Sequence, residues 1–158
     1  MTEMAVDTTA RASFAAFFGE VEPRLRLALI AALGHEKGRE ATSEAMVFGW
    51  EHWDRIEQMT NPAGYLYRVG RSRARVRWRH LRFDPEPPQR LPEMEPGLLT
   101  ALRGLSEKQR IVVFLVHAMG WTRGETAELL GVSINTVGSH LDRGLAKLRR
   151  SLGVTIND

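Results

Sequence analysis

The chain has 158 residues, 43% of them apolar, a net charge of +3 and no cysteine. That composition belongs to a soluble globular protein of one or two small domains, and it excludes disulfides, thiolate metal sites and thiol catalysis. No apolar run reaches the roughly 18 residues needed to cross a bilayer, and the opening MTEMAVDTTA is neither a secretory signal nor a transit peptide, so a cytoplasmic protein is expected.

Residues 9–33 place Phe14, Phe17, Phe18, Val21, Leu25, Leu29 and Leu33 at helical spacings of three and four. A break is predicted near Pro23, with Gly34 closing the resulting pair of helices. A third helix is predicted from about Glu40 to Gln58, with Met46, Val47, Trp50, Trp53 and Ile56 inward.

Charge then changes abruptly. Residues 1–60 carry −4, whereas 61–82 hold seven arginines and no acid. Such a block points to a polyanion partner, nucleic acid first. Within it, RSRARVRWRH (71–80) has an arginine at every second position from 71 to 79. At about 100° per residue, Arg68, Arg71, Arg75, Arg79 and Arg82 gather in a stripe about 80° wide. Leu66, Val69, Val76 and His80 fall opposite. Asn61 suits an N-cap and Pro62 the first helical position. A strand would bury Ser72, Ala74, Val76, Trp78 and His80, a poor core, so the stretch is predicted helical. Arg73 and Arg77 fall on the apolar side, where they must snorkel or pair with acids. Tyr67 and Trp78 flank the cationic ridge; aromatic rings beside guanidinium groups suit unpaired bases and phosphates, with ordinary packing as the alternative.

FDPEPPQRLPEMEP (83–96) reads as a linker, and a second unit begins at Gly97. Ser106 with Gln109 and Thr122 with Glu125 are capping boxes that start two helices. The first is predicted over 107–118 with Ile111, Val112, Leu115 and Val116 apolar. ETAELLGVSINTVGSHLDRGLAKLRR follows in a helix-turn-helix pattern. Ala127 permits close helix approach, Gly131 supplies a left-handed turn residue and Ser133 caps the next helix. Val137, Leu141, Leu145 and Leu148 form that helix's inner face. Its outer face carries Asn135, Thr136, Ser139 and His140 as candidates for base edges, with Arg143, Lys147 and Arg149 for phosphates. The expected fold is all-α: two small helical domains, 1–82 and 97–158, joined by the Pro-rich linker 83–96. No enzyme, metal or cofactor is expected, because HEKGR (35–39) is not HExxH, no Walker or GxGxxG loop occurs and the five histidines are scattered. Neither membrane insertion nor a small-molecule substrate is expected.

NPAGYLYRVGRSRAR (61–75) and LTALRGLSEKQRIVVFLVHAMGWTRGETAELLGVSINTVGSHLDRGLAKLRR (99–150) resemble bacterial RNA polymerase sigma factors of the extracytoplasmic-function class. The likeness covers nearly the whole chain and is strongest to short actinobacterial members. It implies region two over 10–82 and region four over 97–152. Glu40 and Glu44 would dock on the β′ clamp of core RNA polymerase. Tyr67, Arg68, Arg71, Ser72, Arg75, Trp78 and Arg79 would meet the minus-ten element of promoter DNA. Ser133, Asn135, Thr136, Ser139, His140, Arg143 and Lys147 would read the minus-thirty-five element. The resemblance also implies a β flap contact and an anti-sigma protein as partner. This chain departs from the family pattern at Ser43, where Gln is usual and polymerase docking is affected, and at Ser72, where Asn is usual and the captured base is affected. At Gly138 and His140, where a basic residue and Arg are usual, each loss removes a phosphate or base contact, which predicts weaker or unusually selective DNA binding. The alternatives are a helix-turn-helix regulator and a sigma-like decoy or adaptor that binds polymerase or an anti-sigma protein without reading promoters.

Overall fold

The computed structural model of the chain describes residues 2–77 and 97–153; the linker 83–96 and the candidates Trp78 and Arg79 lie outside them. Among the described residues the fold is all-α. The helices are α1 (Thr2–Leu33), α2 (His35–Glu51), α3 (Trp53–Ile56), α4 (Pro62–Arg77), α5 (Leu98–Arg103), α6 (Glu107–Val113), α7 (Arg123–Leu130) and α8 (Ile134–Leu152). A π turn, Phe114–Ala118, replaces the last turns expected of the helix over 107–118.

Two expectations for the amino-terminal half fail. α1 is one helix of 32 residues that passes through Pro23. The missing amide costs one helical bond, but tertiary packing on both sides of the proline holds the axis together. On one side the Phe14 and Phe17 rings lie 5.4 and 4.8 Å from Trp53; on the other Leu25, Ala28 and Leu29 have no solvent exposure. The second failure concerns α2, which begins at His35 and ends at Glu51, where His52 turns the chain into α3. Met46, Trp53 and Ile56 are buried as expected, yet Val47 is 58% exposed and Trp50 42% exposed. A helix packed on α1 and α4 cannot also bury its third side.

Gly34 (φ 91°) breaks α1 from α2, and the two helices then cross very closely. A Cβ at Gly38 would lie 2.7 Å from the Leu29 carbonyl carbon and press on the Ile30 backbone. Backbone cannot swing aside as a side chain does, so Gly38→Ala should cost about 3 kcal/mol, the upper end for overpacking. A drop in the urea midpoint at unchanged slope is the expected reading.

The carboxy-terminal helices start where the capping boxes predicted. Ser106 Oγ accepts from the Gln109 amide at 3.2 Å and the Gln109 side chain accepts from the Ser106 amide at 3.1 Å. Thr122 and Glu125 repeat the exchange, and Ser133 Oγ accepts from the Thr136 amide at 3.0 Å. Gly131 takes φ 67°, the left-handed turn between α7 and α8.

One core serves both halves. Ile111, Leu115 and Leu129 from the carboxy-terminal helices are buried with Leu25, Leu29, Ile56 and Leu66 from α1, α3 and α4. A smaller core of Val112, Ala127, Val137, Leu141 and Leu148 lies under α8. Burying a side chain of this size is worth roughly 1.5–3 kcal/mol, against about 0–1 kcal/mol for an exposed ion pair. Apolar burial therefore holds the halves together, and the polar contacts at the seam align them.

Candidate nucleic-acid interface

α4 starts as its sequence dictates, with the Gly64 amide donating to Asn61 Oδ1 at 2.9 Å. Its buried arc runs through Gly64, Leu66, Tyr67, Gly70 and Ala74. Arg68, Ser72 and Arg75 remain exposed. Arg73, placed on the apolar side by periodicity, puts its guanidinium 4.8 Å from the centre of the Phe48 ring, so an aromatic face receives the charge where an acid was one expectation.

The ridge itself is partly covered. Glu107, at the first position of α6, accepts from Arg71 Nε through one carboxylate oxygen and from Arg75 at 2.9 Å through the other. Burial alone would raise this carboxyl, but the two arginine hydrogen bonds outweigh it and hold the group below the usual carboxylate range. The contact is thus fully present at neutral pH and is lost as pH falls through that lowered value. Tyr67, expected beside the ridge as a stacking platform, is 4% exposed, and burial pushes its phenol upward against the pull of Arg71. Periodicity placed Tyr67 on the correct side of α4; the arrival of α6 removed it from solvent.

Arg110, one turn along α6, is buried. It donates to the carbonyls of Ala31 at 3.0 Å and Ala32 at 3.1 Å. These belong to the last turn of α1, which has no basic residue of its own. A cation from the other half thus satisfies two of the orphaned carbonyls at that helix end. At the same seam Arg24 pairs with Glu125 and lies 4.4 Å above the Trp121 ring, and Asn61 donates to the Glu128 carbonyl. Glu107, Arg110, Arg24 and Asn61 were not foreseen as a group; Glu107 carried only the signal of an acid in a first helical turn.

On α8, Asn135, Ser139 and Arg143 are exposed and share the outer face, as expected. Ser133 and Thr136 are engaged in the cap, their hydroxyls 2.8 Å apart. Lys147 donates to the Gly104 carbonyl at the end of α5, 3.1 Å away. His140 is half-buried, and burial together with the Lys108 and Arg143 charges lowers its pKa. That shift favours the neutral ring, which offers a hydrogen bond in place of a charge. Gly138 presents no side chain, but a Cβ there would lie 3.5 Å from a guanidinium nitrogen of Arg123. Arg123, at the start of α7, therefore brings a cation to the face where α8 lacks one; its sequence distance from α8 concealed this.

Glu40 is exposed and Glu44 half-exposed on α2. Beside them an apolar groove lined by Phe14, Phe18, Met46, Val47 and Trp50 opens to solvent. No helix among the described residues is long and apolar enough to cross a membrane.

Known proteins resemble this chain in sequence and in fold. Residues 97–148 match the family described as sigma-70, region 4. The chain is 35% identical to the RNA polymerase sigma-E factor of Streptomyces coelicolor over 122 residues, 70% of this chain and 68% of that one. It is 34% identical to the RNA polymerase sigma-E factor of Streptomyces avermitilis over 119 residues, 68% and 66% of the two chains. Among solved structures, the sigma factor RpoE in complex with the anti-sigma factor NepR from Bartonella quintana superposes with a TM-score of 0.65 at 24% identity. That match covers 90% of this chain and 98% of the other, and it speaks for the fold. A capped helix-turn-helix, an arginine-faced helix and this degree of identity over most of the chain lead to one conclusion: the protein belongs to the RNA polymerase sigma factors of the extracytoplasmic-function class, which direct promoter-specific transcription.

Proposed function

We propose that three surfaces divide the work of this sigma factor in the cytoplasm. α2 docks on the β′ clamp of core polymerase through Glu40 and Glu44. α4 holds the separated strand at the minus-ten element through Arg68, Arg71, Ser72 and Arg75. α8 reads the minus-thirty-five duplex through Asn135, Ser139, His140 and Arg143. The observation that carries the reading is α8: a helix fixed at its start by a capped left-handed turn, whose outer side chains suit base edges and phosphates while its inner side is core. The docking assignment is supported by exposed Phe18, Val47 and Trp50 on the side of the acids, an apolar centre with a charged margin. Trp78 and Arg79, outside the described residues, are assigned to the same minus-ten element, and Ser133, Thr136 and Lys147 would support α8 from its cap and far end. An anti-sigma protein is the proposed negative regulator, and the β flap the polymerase contact of the carboxy-terminal unit, which joins the amino-terminal unit (1–82) through residues 83–96. Reconstituted run-off transcription with bacterial core polymerase on a genomic fragment pool tests the reading; no promoter selected above core polymerase alone would refute it.

Arg123 belongs to the duplex surface in this account. Its replacement by alanine should weaken binding to any selected promoter by a similar factor and reduce the slope of log K against log salt by about 0.9, the signature of one lost phosphate contact. An unchanged slope places Arg123 off the DNA.

A further inference from the structure

One hollow in the molecule lies apart from the surfaces assigned to polymerase and promoter. It has a volume of about 300 Å³ and opens to solvent between α1, the start of α4 and α7. Small-ligand sites begin at about this size, with a range of roughly 300–1,000 Å³. Half-buried Phe17, Val21 and Trp121 and buried Leu129 give it apolar walls. Glu20 and Glu128 stand exposed at its edge, the first on α1 and the second on α7.

The charges around the hollow are unbalanced. Glu20, Glu125 and Glu128 meet a single base, Arg24, so the walls carry −2 in a chain of net +3. Arg24 is engaged by Glu125 and lies 4.4 Å above the Trp121 ring. That contact shows the chemistry these walls accept, a cation on an indole face with a carboxylate beside it. Glu20 and Glu128 have no ion-pair partner among the described residues. Two carboxylates at the rim of an apolar hollow suit a ligand with an apolar body and a positive end. An anion would meet net repulsion there, and a neutral molecule would leave both carboxylates unused.

We propose that this hollow binds a small organic cation, a primary amine on an aromatic or branched apolar body. The body lies against Phe17, Trp121 and Leu129, and the ammonium sits at the rim with Glu20 and Glu128. The site selects the charge opposite to that drawn by the arginine face of α4, and it does not depend on how the DNA surfaces are assigned. Because its walls come from α1 and α7, far apart in the chain, an occupant adds its binding energy to their packing by mass action.

Tryptamine tests the site, with indolepropionate, similar in shape and opposite in charge, as the control. In a nitrogen–proton correlation spectrum of the full chain, tryptamine should move the indole N–H of Trp121, assigned by its loss in Trp121→Phe. A ligand of this size should saturate that signal with a Kd of about 1 mM, and indolepropionate should leave it in place. Glu20→Gln with Glu128→Gln should weaken tryptamine about fivefold, the equivalent of two exposed ion pairs. The melting temperature of the ligand-free chain should stay unchanged, since both side chains are exposed. Glu20→Lys with Glu128→Lys should reverse the preference, so that indolepropionate moves the Trp121 signal and tryptamine does not. A Trp121 signal indifferent to tryptamine, an equal response to the two ligands, undiminished affinity in the Gln pair, or a Lys pair that still prefers tryptamine would each overturn the site.

Discussion

Arg71→Glu combined with Arg75→Glu is expected to abolish promoter opening by the reconstituted holoenzyme while leaving its assembly largely intact. Each arginine can make a charge-assisted bond to phosphate worth about 1.5–3 kcal/mol. Losing two such bonds and placing two anions against the strand should reduce opening by about 100-fold or more. In the free chain the same change sets two new carboxylates against Glu107, whose oxygens now receive both guanidinium groups, so the contact between α4 and α6 should loosen as well. Permanganate reactivity of promoter thymines reports opening, and native gel migration with core polymerase reports assembly. Glu44→Arg, on a different helix, should give the opposite pattern, with assembly lost and opening lost only as a consequence. If both variants damaged assembly equally, the division of surfaces between α2 and α4 would be wrong.

The second large effect lies in the seam. Arg110→Ala should destabilise the free protein by about 3 kcal/mol. The Ala31, Ala32 and Leu105 carbonyls all accept from this guanidinium, and a buried acceptor left without a donor costs about 1–3 kcal/mol. Water entering the vacated space keeps the total near the low end of three such losses. Arg110→Lys should recover only part of it, because a single ammonium cannot span carbonyls on α1 and on the turn before α6 as a planar fork does. Denaturant unfolding followed by circular dichroism measures the difference. If the loss is below about 1 kcal/mol, the α1 carbonyls find water in its place and Arg110 is not what closes that helix end.

Features set within three or four residues were readable in advance. Ser106 with Gln109, Thr122 with Glu125, Ser133 ahead of α8 and Asn61 ahead of α4 each need only their own neighbours to form, because a cap is a contact between a side chain and an amide one turn away. The helical character of the arginine stretch was legible for the same reason, as was the inner face of α8. Pro23 misled because its local cost was smaller than the packing of Phe14, Phe17, Leu25 and Leu29 on either side. Val47 and Trp50 misled because an amphipathic pattern shows that a side is apolar, not whether anything arrives to cover it.

Local pattern therefore settled the helices, their starting points and the clustering of cations along α4, since those depend on backbone amides and the angular period of a single helix. The fate of those surfaces was decided at longer range. Tyr67 went from a flank of the ridge to the interior, Glu107 from a helix-start acid to the counter-ion of two arginines, and Arg110 to the end of α1, 79 residues earlier in the chain. No periodicity in one segment contains that information, because it is created only when Ile111, Leu115 and Leu129 bury themselves against the amino-terminal helices and bring the charges within reach.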